Sequence, residues 1–158
     1  FAAGRPVVDA PALEAFLEGL RYPIAYYDYE AFGSAIPAVD GVSPHQQIPF
    51  QFSVHVEHAD GSLDHHEFLA DRAGMHESLV AALTRSIPAT GTIVSWNAPY
   101  EKACNARLAA LLPHTEDFLA DVDRRTVDLM VPFRDAYVDA RFCGSTSIKK
   151  VLLVLAPD

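Results

Sequence analysis

Asp28 and Glu30 stand one residue apart in the segment "IAYYDYEAF", which is otherwise apolar and aromatic. Such a run is predicted to be a strand. Side chains i and i+2 share one strand face, about 7 Å apart along it. Burying a carboxylate is costly unless it is paired or binds a cation. The two acids therefore either face solvent at a strand end or hold something positive. On one face they suit a pair of divalent cations about 4 Å apart, and oxygen donors of this kind favour Mg2+ or Mn2+.

Glu101 is the second clue. It lies in the first turn of a helix predicted over "APYEKACNARLAALL", where Pro99 is tolerated near the start. Helical spacing puts Glu101 on one stripe with Cys104 and Leu108, so it heads the face expected to be buried. A first-turn Glu also suits the helix dipole, and that reading needs no ligand. The preceding "TGTIVSW" is predicted to be a buried strand over Thr92 to Trp96. If it lies near the first strand, the helix start approaches Asp28 and Glu30. Asp128, in "RTVDLM", reads as a cap for the next turn of chain or as a supporting acid beside the site.

Other chemistries find little support. His65 and His66 are adjacent in a predicted strand and face opposite ways, while His45 and His55 fall on a loop or a polar face. There is no P-loop, no G-x-G-x-x-G and no G-x-S-x-G. Lys149 and Lys150, with Arg134 and Arg141, form a modest basic patch that either meets phosphate or is simply solvated.

The elements that must position these acids are read from periodicity. "APALEAFLEGL" spaces Leu13, Phe16, Leu17 and Leu20 as a short amphipathic lead-in helix within residues 1–21. After the first strand comes a Gly- and Pro-containing loop. Ile48, Phe50, Phe52, Val54 and Val56 then alternate with more polar residues, a half-buried strand. Asp60-Gly61 is a turn signal, and "LDHHEFL" returns as its hairpin partner. Helices are predicted over Met75 to Ile87 and over "STSIKKVLLVL", the latter opened by a Ser or Thr cap. "RRTVDLMVPF" reads as a strand passing into a turn or helix. Three consecutive strands, then alternating helices and strands, imply a mixed α/β sheet with helices on its faces.

Composition sets the outer bounds. The 158 residues amount to about one domain. The net charge of −9 argues against a protein that coats nucleic acid through basic residues alone. An acidic enzyme can still hold nucleic acid through metal ions. Two cysteines without metal spacing fit a reduced, cytoplasmic compartment. No apolar run reaches the length of about 18 residues expected of a membrane helix.

Taken together the pieces resemble the DEDD-type 3′–5′ exonucleases of the ribonuclease-H-like superfamily. The D-x-E strand is Asp28-Tyr29-Glu30, and the strand meander is "IPFQFSVHV" with "LDHHEFL". The N-x-x-F-D motif reads "WNAPYEK", with Tyr100 and Glu101 in the aromatic and acidic places. "TVDLM" and "STSIKKVL" complete the order over roughly Pro23 to Leu155. More closely, "DYEAF", "QQIPFQFSVHV", "RTVDLMVPFRDAY" and "GSTSIKKVL" look like a bacterial family labelled as a domain of unknown function. The resemblance implies a single, C-terminally partial exonuclease-like domain over 1–158, with a ribonuclease-H-like mixed sheet built on a three-strand antiparallel meander. It implies metal-assisted phosphodiester hydrolysis at DNA or RNA ends, with Asp28, Glu30 and Glu101 holding two Mg2+ or Mn2+ ions. Phe32, Trp96 and Asn97 would meet the terminal nucleotide, and Asp128 would support. The sequence departs from the pattern in three ways. Ala31 stands where a Thr is usual, Glu101 replaces an Asp, and the motif with the last ligand and general base is missing. Asp158 lies too close to the last helix to be that ligand. The alternative is a catalytically inactive module that binds nucleic acid or protein on the same fold.

Overall fold

The alternating segment forms the centre of the antiparallel half of the sheet. The structure, a computed structural model, describes residues 5–157. In chain order its elements are β1 (Val7–Val8), α1 (Ala10–Gly19), β2 (Ile24–Phe32), β3 (Ile48–Glu57), β4 (Leu63–Leu69) and α2 (His76–Ser86). The chain continues through β5 (Thr92–Ser95), α3 (Ala98–Leu111), α4 (Glu116–Arg125), β6 (Thr126–Asp128), α5 (Met130–Asp135), β7 (Tyr137–Val138) and α6 (Ile148–Leu155).

Five strands form one mixed sheet in the order β4-β3-β2-β5-β6. β2, β3 and β4 are an antiparallel meander, with Asp28 opposite Ser53 and His55 opposite His65. β5 runs parallel to both β2 and β6. This is the mixed α/β sheet with a three-strand meander that the sequence predicts. The expected hairpin turn is also present. Asp60 Oδ1 accepts from the Ser62 N–H at 2.9 Å and from its hydroxyl at 2.7 Å. Gly61 takes φ +84° there, a region glycine enters without steric cost.

One face of the sheet carries the core. Ala25, Tyr27 and Tyr29 of β2, Phe52, Val54 and Val56 of β3, and Ile93 of β5 pack beneath α2, α3 and α4. The helices contribute Leu79, Leu83, Cys104, Leu108, Leu119 and Val122, all buried. Burying a side chain such as Leu83 contributes about 2 kcal/mol over leaving it exposed. The opposite face carries Tyr26, Asp28, Ser53 and His55, flanked by Leu129 and by Ile148 of α6.

Gly91 lets β5 join β2. Its φ is +90°, and a Cβ there would stand 2.0 Å from the Pro23 carbonyl oxygen. The close approach is fastened by the Thr92 N–H to Arg21 O and by the Arg21 N–H to Thr92 Oγ1, both 2.8 Å.

Several details differ from the sequence reading, among them a separate two-stranded sheet of β1 and β7. α4 is not predicted by the sequence pattern, because only Leu119 and Val122 are buried in it. The apolar stripe of α1 is only half covered: Leu13, Phe16 and Leu20 are half-buried and Leu17 is exposed. Ser147 occupies the N-cap position of α6, but its side chain makes no capping hydrogen bond. Among the described residues no helix is long and apolar enough to cross a membrane.

Candidate carboxylate site

The site lies where β5 parts from β2. Their parallel pairing ends at Tyr26 opposite Val94, while β2 runs on to Phe32. The edge of β2 beyond Tyr26 is thus free of a strand partner on that side, and the first turn of α3 begins beside it. Asn97 makes the turn from β5 into α3 at φ +66°, a left-handed conformation that Asn tolerates better than most residues. Asp128 Oδ1 clamps this corner, accepting the Asn97 N–H and the Met130 N–H, each at 2.9 Å. The C-terminal ends of two parallel strands and the head of a helix therefore meet here, the usual place for a ligand in an open α/β sheet.

Glu101 points into the packed interior of this corner and is only 1% exposed. Its Oε2 has no hydrogen-bond partner. Loss of solvent pushes its carboxyl up to about 7, and the charges of Asp28 and Asp128 push the same way. The backbone N–H groups of Glu101 and Tyr29 offset part of this. Asp28 is more open, yet its carboxyl too is raised, first by partial desolvation and then by the Glu30 charge. Cys104 and Leu108 are buried on the same stripe, as the helical spacing predicts. The Cys104 thiol is pushed up to about 11, chiefly by burial, which keeps it a neutral packing group.

Asp28 lines a cleft of about 390 Å3 on the open sheet face, together with Tyr26, Ser53, His55, Val94 and Trp96. Trp96 is also a packing residue. Its ring stacks on Phe133 with centroids 5.2 Å apart, and its Nε1–H donates to Thr146 O at 3.0 Å. Asn97 is exposed, and its side chain makes no capping bond. Phe32 is 67% exposed and lines a separate apolar cavity of about 170 Å3, built with the loop from Ser34 to Gln46. The structure thus groups Asp28, Glu101, Asp128, Trp96 and Asn97 at one corner and leaves Phe32 beyond it. Tyr26, Ser53 and His55 are not singled out by the sequence reading. The polar phase of the β3 alternation carries that signal for Ser53 and His55.

The family model described as Domain of unknown function (DUF2779) matches residues 25–147. The chain belongs to the DUF2779 family. No curated protein and no solved structure matches it. The DUF2779 match covers Asp28, Glu30, Glu101 and Asp128, and every residue lining the cleft except Ile148.

Among the described residues no three His, Cys, Asp or Glu side chains converge closely enough to hold a metal ion. The donors nevertheless fit a hard divalent cation in kind. Glu101 keeps a buried carboxylate oxygen without a partner, and its charge is opposed by those of two nearby acids. A divalent cation offsets that opposition.

Proposed function

We propose that this DUF2779 domain is a divalent-metal-dependent phosphodiester hydrolase that trims nucleic-acid ends in the 3′–5′ direction, with Asp28, Glu30 and Glu101 as its metal-holding carboxylates. The observation that carries the reading is Glu101, a carboxylate sealed at the head of α3 with an unpartnered oxygen. Two backbone N–H groups favour the carboxylate there, yet they leave Oε2 unpartnered and do not cancel the opposition of Asp28 and Asp128. When bound, Mg2+ or Mn2+ supplies an activated water and neutralises the leaving 3′-oxygen.

Each residue of the corner has a defined task in this reading. Glu101 releases its proton and offers Oε2. Asp28 and Glu30 present oxygens from the adjoining strand face. Asp128 stays on its two backbone N–H groups and fixes the corner. Asn97, exposed at the edge, hydrogen-bonds the terminal nucleotide. The Trp96 ring provides stacking surface while its N–H stays on Thr146 O. A chain of net charge −9 needs cations to accept a phosphodiester, which fits a strand held through metal.

A second reading is an inactive module that binds nucleic acid or protein. The absence of three converging metal donors among the described residues favours it. Titrating Mn2+ into the protein and into D28N, E30Q and E101Q, alongside assays on single-stranded DNA and RNA, separates the two. The hydrolase reading expects Mn2+ binding and 3′ shortening that all three variants lose. Nucleic-acid or protein binding without Mn2+ dependence or shortening supports the inactive module.

A further inference from the structure

Behind the carboxylates, two phenols and one amide meet at a buried node. Tyr27 donates its hydroxyl proton to Asn105 Oδ1 at 3.0 Å, and Tyr29 donates to the same oxygen at 3.1 Å. Asn105 Nδ2 donates to Asp123 Oδ1 at 2.7 Å. Tyr27, Tyr29 and Asn105 are buried, and the two tyrosine rings meet edge to face at 4.9 Å. Asp123, on α4, is half-buried at the far end.

The node has one arrangement. A carboxylate only accepts, so Asp123 demands the NH2 side of the amide. The phenols then take its oxygen, and flipping the amide would set that oxygen against the Asp123 carboxylate and force both hydroxyls to turn from donating to accepting. A buried polar group left unsatisfied costs about 1–3 kcal/mol, so the node strongly resists a change of register.

Its position matters for the site. Tyr27 and Tyr29 alternate along β2 with Asp28 and Glu30, so fixing the phenols on one face fixes the acids on the other. A one-residue slip of β2 would exchange the two sets. On α3, Asn105 lies one turn beyond Glu101 and on the same stripe. One amide therefore fixes the register of the strand carrying two acids and the rotation of the helix carrying the third.

We propose that Asn105 is a positioning residue that aligns Asp28 and Glu30 with Glu101, acting through Tyr27 and Tyr29 and oriented by Asp123. The alignment is read from the hydrogen bonds; its consequence for metal rests on the hydrolase reading above.

The test compares N105L, N105D and the reciprocal swap N105D/D123N with L83A, a core truncation away from the node. In the swap, a carboxylate at position 105 accepts from both phenols and from the new amide, so all three bonds return. Mn2+ affinity is measured well below each melting temperature. Hydrogen exchange is measured at residues 27–31 and 98–102. N105L and N105D are expected to lose tenfold or more in Mn2+ affinity and to exchange faster in those two segments, with the β3–β4 hairpin still protected. The swap restores both, and L83A keeps its Mn2+ affinity. Wild-type affinity in N105L, or exchange that rises no more locally than in L83A, overturns the proposal. If the unaltered protein binds no Mn2+, the hydrolase reading falls and exchange alone decides: opening confined to the two segments upholds the alignment, and unchanged or uniform exchange overturns it.

Discussion

Asp128 Oδ1 accepts the Asn97 N–H at 2.9 Å and so joins the end of β6 to the residue at the N-cap of α3. The same oxygen holds the Met130 N–H. A residue employed this way is a clamp, and its charge also bears on Glu101. D128N keeps an acceptor oxygen and should cost at most about 1 kcal/mol, while D128A strands two backbone donors and should cost about 2–3 kcal/mol. Thermal unfolding measures both. Mn2+ binding should survive in D128N. Loss as complete as in D28N would make Asp128 a ligand instead.

The raised Glu101 carboxyl makes stability depend on pH with a definite sign. Its value moves from 4.5 to about 7 on folding. Between these values the folded state holds the proton more tightly than the unfolded chain. The extra stability is therefore full below about pH 4.5 and is lost as pH rises through about 7, on the order of 3 kcal/mol in total. E101Q should flatten this dependence and unfold at higher temperature than the parent at pH 8. Chemical denaturation across pH 4 to 9 checks it; parallel curves for the two proteins would remove Glu101 as the source. Because the proton competes with metal, Mn2+ should bind about tenfold more weakly at pH 6 than at pH 8.

Gly91 is a separate point of sensitivity. G91A combines a left-handed φ with a Cβ 2.0 Å from Pro23 O, backbone that cannot turn aside like a side chain. The junction of β2 and β5 must open, and a loss of about 3 kcal/mol or more is expected. Urea unfolding of G91A beside G74A calibrates this, since a Cβ at Gly74 meets nothing within 4 Å while φ is likewise positive. Equal losses in the two would attribute the effect to φ alone.

How far the sequence reveals this arrangement depends on the range of the forces involved. The meander is legible because Phe52, Val54 and Val56 alternate with polar neighbours and Asp60-Gly61 marks the turn, all local signals. Glu101 is legible because its stripe continues through Cys104 and Leu108. α4 is less so: Leu119 and Val122 are its only buried residues, although Glu116 and Asp117 at its start and Arg124 and Arg125 at its end match the helix dipole. β1 and β7 are two-residue strands paired across the chain, with Val7 opposite Val138, and no local pattern specifies them. Phe32 enters the site only through the resemblance, which sets it against the terminal nucleotide. The pairing of β2 with β3 shifts register between Glu30 and Ala31, and Phe32 lines a different cavity from Asp28.

Trp96 is the single tryptophan of the chain and it lines the cleft beside Asp28, so its fluorescence reports occupancy directly. A single-stranded oligonucleotide entering the cleft should quench it in the presence of Mn2+. The prediction lies in what removes the quench. The chain is acidic and Asp28 and Glu30 line the strand face, so a phosphodiester without metal meets like charge. Chelation by EDTA, or D28N with metal present, should therefore abolish quenching. Quenching that persists under EDTA and falls steeply with salt would place the strand on basic side chains such as Lys149 and Lys150 instead, since Arg134 and Arg141 are paired with Asp135 and Asp139. That outcome would separate nucleic-acid binding from the carboxylates. W96F serves as the control for packing. It keeps the stack on Phe133 and loses the hydrogen bond to Thr146 O, so it should cost only about 1 kcal/mol and leave Mn2+ affinity unchanged.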